Sequence, residues 1–128
     1  MKKSGILHPG INLLLSSTGH TDYFTICDRG FPVPDGPTRI DLALIEGIPS
    51  VLDVLRAINA EYHIDRVLIT DEMAEVSPDR VAALRALLGE IPLESIPHLE
   101  LKRLSATGKA TIRTGDTVPY ANIIVVSG

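Results

Sequence analysis

A chain of 128 residues suffices for one ordinary domain and is too short for two comfortable ones. Its 45% apolar and 22% charged residues are a globular mix, and a net charge of −4 argues against a nucleic-acid binder, which needs a cationic surface to displace counterions from phosphates. With 4% aromatics and no tryptophan, no broad stacking platform for bases or long glycans is available.

Mean hydropathy is +0.20, high for so small a domain. Burying apolar surface between subunits is a common remedy, so a homo-oligomer is expected. The single cysteine, Cys27, cannot form an intrachain disulfide, and beside Phe24-Thr25-Ile26 it reads as a buried structural thiol in a reducing compartment. Lys2-Lys3 precedes apolar residues, but His8, Pro9, Gly10 and Asn12 interrupt the run, so no signal peptide is expected. No apolar stretch approaches the ~18 residues of a membrane span. The expectation is a cytoplasmic protein without membrane insertion.

Pro9-Gly10 opens a helix over 11–17, with Ile11, Leu14 and Leu15 on one side and Gly19 as a left-handed cap. Tyr23 to Cys27 reads as a strand from its aromatic and β-branched content. Asp28 to Pro37, rich in proline and glycine, must be a constrained loop. Arg39 to Leu44 alternates like a second strand. A helix is predicted from Pro49-Ser50 to Tyr62, and Arg66 to Thr70 reads as a strand covered on both faces. Ser77-Pro78-Asp79 has the grammar of a helix start, with Ser77 as N-cap. Leu93–Ile96 as strand, Leu99–Leu104 as short helix, and strands at Ala110–Arg113 and Ala121–Val126 complete the chain. Alternating strands and helices predict a single α/β domain over residues 1–128: a three-layer α/β/α arrangement around a mixed, largely parallel sheet. The last strand is apolar enough to be central or to lie at a subunit contact.

The polar residues at element junctions carry the chemistry. In Gly19-His20-Thr21-Asp22, His20 follows a helix end whose dipole favours the protonated imidazole, so it is either a proton donor or a capping group. Asp28 directly follows a strand, where ligands collect in α/β sheets. It can accept hydrogen bonds from hydroxyls or simply cap its own turn. Tyr120 and Asn122 are two apart and on a strand would share a face. Together they offer a donor and an acceptor suited to a neutral polyhydroxylated ligand. His98, before the short helix, is a second acid/base candidate; His8 is uninformative, His63 reads as a surface cap and Arg113 as structural. No glycine-rich phosphate loop, zinc pattern or serine elbow is present, so neither a cofactor nor a metal is expected.

Taken in order, several motifs resemble the D-ribose pyranase branch of the ribose pyranase/fucose mutarotase family. They are Lys2-Lys3-x-Gly5-Ile6-Leu7, Gly19-His20-Thr21-Asp22, Asp28-x-Gly30-x-Pro32-x-Pro34, Arg39 to Leu44, Gly47-x-Pro49, Ile112 to Gly115 and Pro119-Tyr120-Ala121-Asn122. Thr21 and Ala121 stand where the fucose branch usually has glycine. The resemblance implies a three-layer fold, rings that are commonly decamers, and sites near subunit contacts. It implies a proton donor at His20 and sugar contacts from Asp28, His98, Tyr120 and Asn122. The implied reaction opens and recloses D-ribose between pyranose and furanose forms, feeding a ribokinase. The alternatives are a mutarotase of another sugar such as L-fucose, or a non-catalytic sugar sensor. Arg29 departs from the small residue usual after the aspartate, the 78–108 region matches only loosely, and relatives typically continue a few apolar residues beyond Gly128.

Overall fold

The computed structural model describes residues 1–128. The elements are α1 (Pro9–Ser17), β1 (Tyr23–Cys27), β2 (Thr38–Asp41), α2 (Val51–Asn59), β3 (Ile64–Thr70), α3 (Asp71–Val76), α4 (Pro78–Leu88), β4 (Leu93–Ile96), α5 (His98–Ser105), β5 (Ala110–Arg113) and β6 (Ile123–Ser127). One six-stranded sheet has the order β2-β5-β1-β6-β3-β4. The pairs β1·β5, β2·β5 and β3·β4 are parallel. Only β6 runs the other way, antiparallel to both β1 and β3. The sheet is therefore mixed and largely parallel, and the apolar final strand is central, with all five residues buried.

Alternation along the strands sorts their side chains into two cores. Ile123 and Val125 join Phe24, Ile26 and the apolar faces of α1, α2 and α4 in a cluster of 21 buried residues. Ile124 and Val126 face the other way, where Cys27, Phe31 and Leu101 of α5 make a cluster of only 6. One layer is thus thick, built on α1, α2 and α4 with Met73 of the short α3 joining them. The other is thin, built from α5 and the loop after β1, and that loop borders the polar residues of interest.

Helix ends follow local chemistry, not always the expected residue. The α2 helix starts at Val51 because Ser50 and Asp53 form a reciprocal capping box, and it ends at Asn59, short of Tyr62. In α1 the His8 Nδ1 accepts from the N–H groups of Gly10 and Ile11, at 3.0 and 3.3 Å, so this histidine is the cap. Gly19 is not left-handed. The helix ends on Thr18 in an extended conformation, and the left-handed residue is Thr21 (φ 70°). The turn is instead held by Asp22, whose carboxylate accepts from the Gly19 N–H at 2.8 Å, and by the Thr21 N–H donating to the Ser127 carbonyl at 2.9 Å. Ser77 does not cap α4 either; its hydroxyl donates to the Pro119 carbonyl at 2.8 Å. The short α3, absent from the sequence expectations, starts where the Thr70 hydroxyl accepts from the Met73 N–H.

Glycine is required at one close approach. A Cβ on Gly115 would lie 2.2 Å from the Ile45 carbonyl oxygen, because the 45–49 turn sits directly on the 114–116 turn. Gly47 donates to the Gly115 carbonyl, and Gly115 donates to that of Pro49.

Candidate active site

Antiparallel pairing places the start of β6 at the same end of the sheet as the finish of β1, β3 and β4. That geometry brings three distant stretches of sequence together. Asp28 follows β1, Pro119-Tyr120-Ala121-Asn122 precedes β6, and His98 opens α5 after β4. They line a cleft of about 350 Å³ with Phe31 and Lys102, a volume at the small end of ligand sites. A groove of about 300 Å³ between α1 and the β2–β5 edge brings neither histidine nor carboxylate into its lining.

Inside the cleft the polar groups are tied to one another. Asn122 Oδ1 accepts from the Asp28 N–H at 2.8 Å, and Asp28 Oδ1 accepts from the Gly30 N–H at 3.0 Å. Accepting through oxygen leaves the Asn122 amide nitrogen as a donor for a ligand. The His98 ring meets Tyr120 edge to face at 5.2 Å and Phe31 at 6.4 Å. Its backbone N–H donates to both carboxylate oxygens of Glu72, at 3.1 and 3.2 Å, supplying the cap that Pro97 cannot.

Electrostatics separates the two ionisable groups. Burial pushes the Asp28 carboxyl up from its ordinary value, opposed by the N–H groups of Gly30 and Phe31. Burial and then the Lys102 ammonium push the His98 imidazole down, against the attraction of Glu72 and Asp28. Geometry agrees: His98 Nδ1 is buried with no partner. A second ring proton there would be an N–H without an acceptor. Burial thus favours the neutral ring, and the partnerless Nδ1 leaves its single proton on Nε2.

Tyr120 and Asn122 do share the cleft, but not as neighbours on a strand. The strand begins at Ile123, and Tyr120 has φ 58°, left-handed for a bulky residue. Lys102 was not foreseen, although it lies one helical turn beyond His98 on the same face of α5.

His20 is elsewhere. It is exposed, in the turn before β1, where Thr21 bonds to Ser127 at the far end of β6. The five residues of β1 separate that turn from Asp28, a span of roughly 16 Å at the usual strand rise. Within one protomer, Asp28, His98, Tyr120 and Asn122 converge and His20 does not join them.

Behind the cleft lies a network that no local motif announced. Arg80 and Asp116, with side chains 9% and 3% exposed, pair at 2.7 Å. Asp116 also accepts from the N–H groups of Val51 at 2.8 Å and Val118 at 3.0 Å. Burial pushes this carboxyl up, yet Arg80 and the two N–H groups hold it below the ordinary value. Arg113 is structural, as expected, bonding to Asp41 and to the Arg29 carbonyl. Cys27 is a buried thiol, pushed up to about 12 first by burial and then by Asp28. No group of three or more His, Cys, Asp or Glu side chains is arranged to hold a metal ion. No helix is long and apolar enough to cross a membrane.

A small α/β domain with a polar cleft at the carboxyl ends of its strands defines a binder of small neutral or weakly charged molecules. The model of the RbsD / FucU transport protein family matches residues 1–128, and the chain belongs to this family. It is 44% identical over 128 residues to a D-ribose pyranase of Geobacillus kaustophilus, covering 100% of this chain and 94% of the relative. It is 41% identical over 128 residues to a D-ribose pyranase of Laribacter hongkongensis, covering 100% and 98%. Bacillus subtilis RbsD, solved in complex with D-ribose, matches with a TM-score of 0.95 at 38% identity, over 100% of this chain and 98% of that one. FucU from Bifidobacterium longum matches with a TM-score of 0.76 at 18% identity over 95% of each chain, which shows a shared fold alone.

Proposed function

We propose that this chain is a D-ribose pyranase, an isomerase that interconverts the pyranose and furanose forms of D-ribose by acid/base ring opening and reclosure. The observation that carries the reading is the convergence of Asp28, His98, Tyr120 and Asn122 on one small cleft, in a chain similar over its full length to named pyranases. Asp28, Tyr120 and the Asn122 amide hold sugar hydroxyls. The neutral His98 ring binds a sugar hydroxyl by donating its Nε2–H, and the proton of the anomeric hydroxyl passes to water. His20 protonates the ring oxygen. The C1–O bond to the ring opens to the aldehyde, rotation follows, and a different hydroxyl closes on C1 as the proton transfers reverse. No electrons are exchanged and no covalent enzyme intermediate is needed. One positioned acid or base contributes about 10²–10⁴-fold, enough for a reaction that also runs slowly in water.

Because His20 and the cleft occupy opposite ends of β1, the acid must come from a neighbouring copy. The protein is accordingly proposed to be a homo-oligomeric ring, a decamer, in which His20 of one subunit closes the cleft of the next. Exposed Leu13, Leu44, Ile45 and Leu99 supply apolar surface for such contacts. A cytoplasmic location, beside the kinase that consumes furanose, accords with the free thiol of Cys27.

Exchange NMR on D-ribose tests the reading. The wild-type protein is expected to accelerate pyranose–furanose exchange and the His20→Ala protein to lose that acceleration. Undiminished exchange in the variant rejects the role of His20. Binding at the buffer exchange rate identifies a sensor instead, and faster exchange of L-fucose than of D-ribose identifies a mutarotase of the sister branch.

A further inference from the structure

We infer that Ser77 and Arg80, at the head of α4, are positioning residues for the cleft: they clamp the segment from Asp116 to Pro119 and thereby fix the Tyr120 ring over the ligand. The inference rests on the sugar-site reading above. Neither residue lines the cleft, and both act through the chain that carries Tyr120.

Three observations converge. First, Ser77-Pro78-Asp79 has the residues of a capped helix start, yet α4 begins with no side-chain cap, and the Ser77 hydroxyl donates to the Pro119 carbonyl at 2.8 Å. A hydroxyl so placed forgoes a favourable local bond for one 42 residues away. Second, Arg80 grips Asp116 with two nitrogens, at 2.7 and 3.3 Å, while Asp116 Oδ1 accepts from the Val118 N–H at 3.0 Å. The segment is thus held at Asp116, Val118 and Pro119 from one direction. On the far side of Tyr120, Asn122 is fixed by the Asp28 N–H. Third, the residue between these anchors, Tyr120, has φ 58°. A bulky residue keeps such a conformation only where its surroundings over-determine it, and the anchors on both sides do that. The same clamp reaches Asp28, because the Asp116 carbonyl accepts from the Arg29 N–H at 3.1 Å.

The chain has three tyrosines, so incorporated 3-fluorotyrosine gives a readable ¹⁹F spectrum, assigned with Tyr120→Phe. In the ligand-free Ser77→Ala protein, the Tyr120 signal is expected to shift or split while those of Tyr23 and Tyr62 stay in place. The dissociation constant for D-ribose is expected to rise by roughly tenfold, the scale of one lost hydrogen bond. Ser77→Thr, which keeps the hydroxyl, restores both. Arg80→Lys, which keeps the charge but loses the two-pronged grip, moves the Tyr120 signal the same way. An unmoved Tyr120 signal in both Ser77→Ala and Arg80→Lys overturns the inference, as does a moved signal with wild-type ribose affinity. If the wild-type protein neither binds D-ribose nor accelerates its exchange, the functional reading fails while the Tyr120 signal still decides whether the clamp exists.

Discussion

At its C-terminal end β1 runs into a cleft where the Asp28 N–H is held by Asn122, Asn122 is buried, and the next turn is pinned through Asp116 to Arg80. At its N-terminal end the same strand emerges from an exposed turn. There His20 has solvent around it, and Asp22 and Lys109 face each other loosely at 3.7 Å. The first end is preorganised to bind, with few ways to relax. The second carries a group of the right chemistry with nothing in its own subunit to act on. Under the proposed mechanism, binding and proton donation are divided between two ends of one protomer, and assembly of the proposed ring would bring them together.

Substitutions at the two ends sharpen this contrast. The largest effect is expected from His20→Ala, which should lower the catalysed exchange rate by about 10²–10⁴-fold and change ribose affinity little; line-shape or saturation-transfer NMR measures both. Asn122→Ala should do the reverse, weakening binding first, because it removes a ligand donor and frees the Asp28 backbone at once.

In stability, Arg80→Met leaves the Asp116 carboxylate buried without its cation and should cost about 3–5 kcal/mol in urea unfolding. Asp22→Ala, in the exposed turn at the other end, should cost about 1 kcal/mol. Equal losses would erase the distinction between a rigid end and a loose one.

Proton linkage distinguishes the cleft in a third way. The His98 imidazole is pushed below its ordinary value of 6.5, by burial and then by Lys102, so folding favours its neutral form. Its contribution to stability is fully present above the unfolded value and is lost as pH falls from there through the lower folded value. The acid limb of kcat/KM should accordingly lie below that of a free imidazole. Lys102→Met should move it to higher pH, since a repelling charge is gone; a pH–rate profile of the two proteins checks the direction. The smallest effect is expected from Arg29→Ala. Arg29 pairs with Glu46 at the surface, and its loss should change stability by about 0–1 kcal/mol.

Much of this arrangement was legible in the sequence because it rests on local patterns. The apolar run at the end of the chain marks a central strand, which β6 is. The apolar faces of α2 and α4 mark the thick layer, and the neighbours of Cys27 mark a buried thiol. What escaped has no local pattern. The α3 helix is six residues long and buries only Met73, so it shows no period. Arg80 and Asp116 are 36 residues apart, and neither looks buried from its surroundings in sequence. The Ser77 hydroxyl has an orthodox local use and a different tertiary one. Tyr120 looked like a strand residue because nothing in Pro119-Tyr120-Ala121-Asn122 signals a left-handed turn. The separation of His20 from Asp28, by contrast, was open to arithmetic. A five-residue strand lies between them, and a strand that short already forbids both from meeting one small ligand in one subunit.

The most direct test of the divided site mixes two defective proteins. Assayed at D-ribose well below the raised KM of the Asn122→Ala protein, His20→Ala and Asn122→Ala are each expected to be nearly inactive alone, and random hybrid oligomers formed by co-expression should regain exchange activity at about a quarter of the sites. Native mass spectrometry verifies that the subunits have mixed. Recovered pyranose–furanose exchange in the hybrids is the predicted result. Fully mixed hybrids that remain as inactive as their parents would contradict the account, because His20 and Asn122 would then have to serve the same site from the same chain.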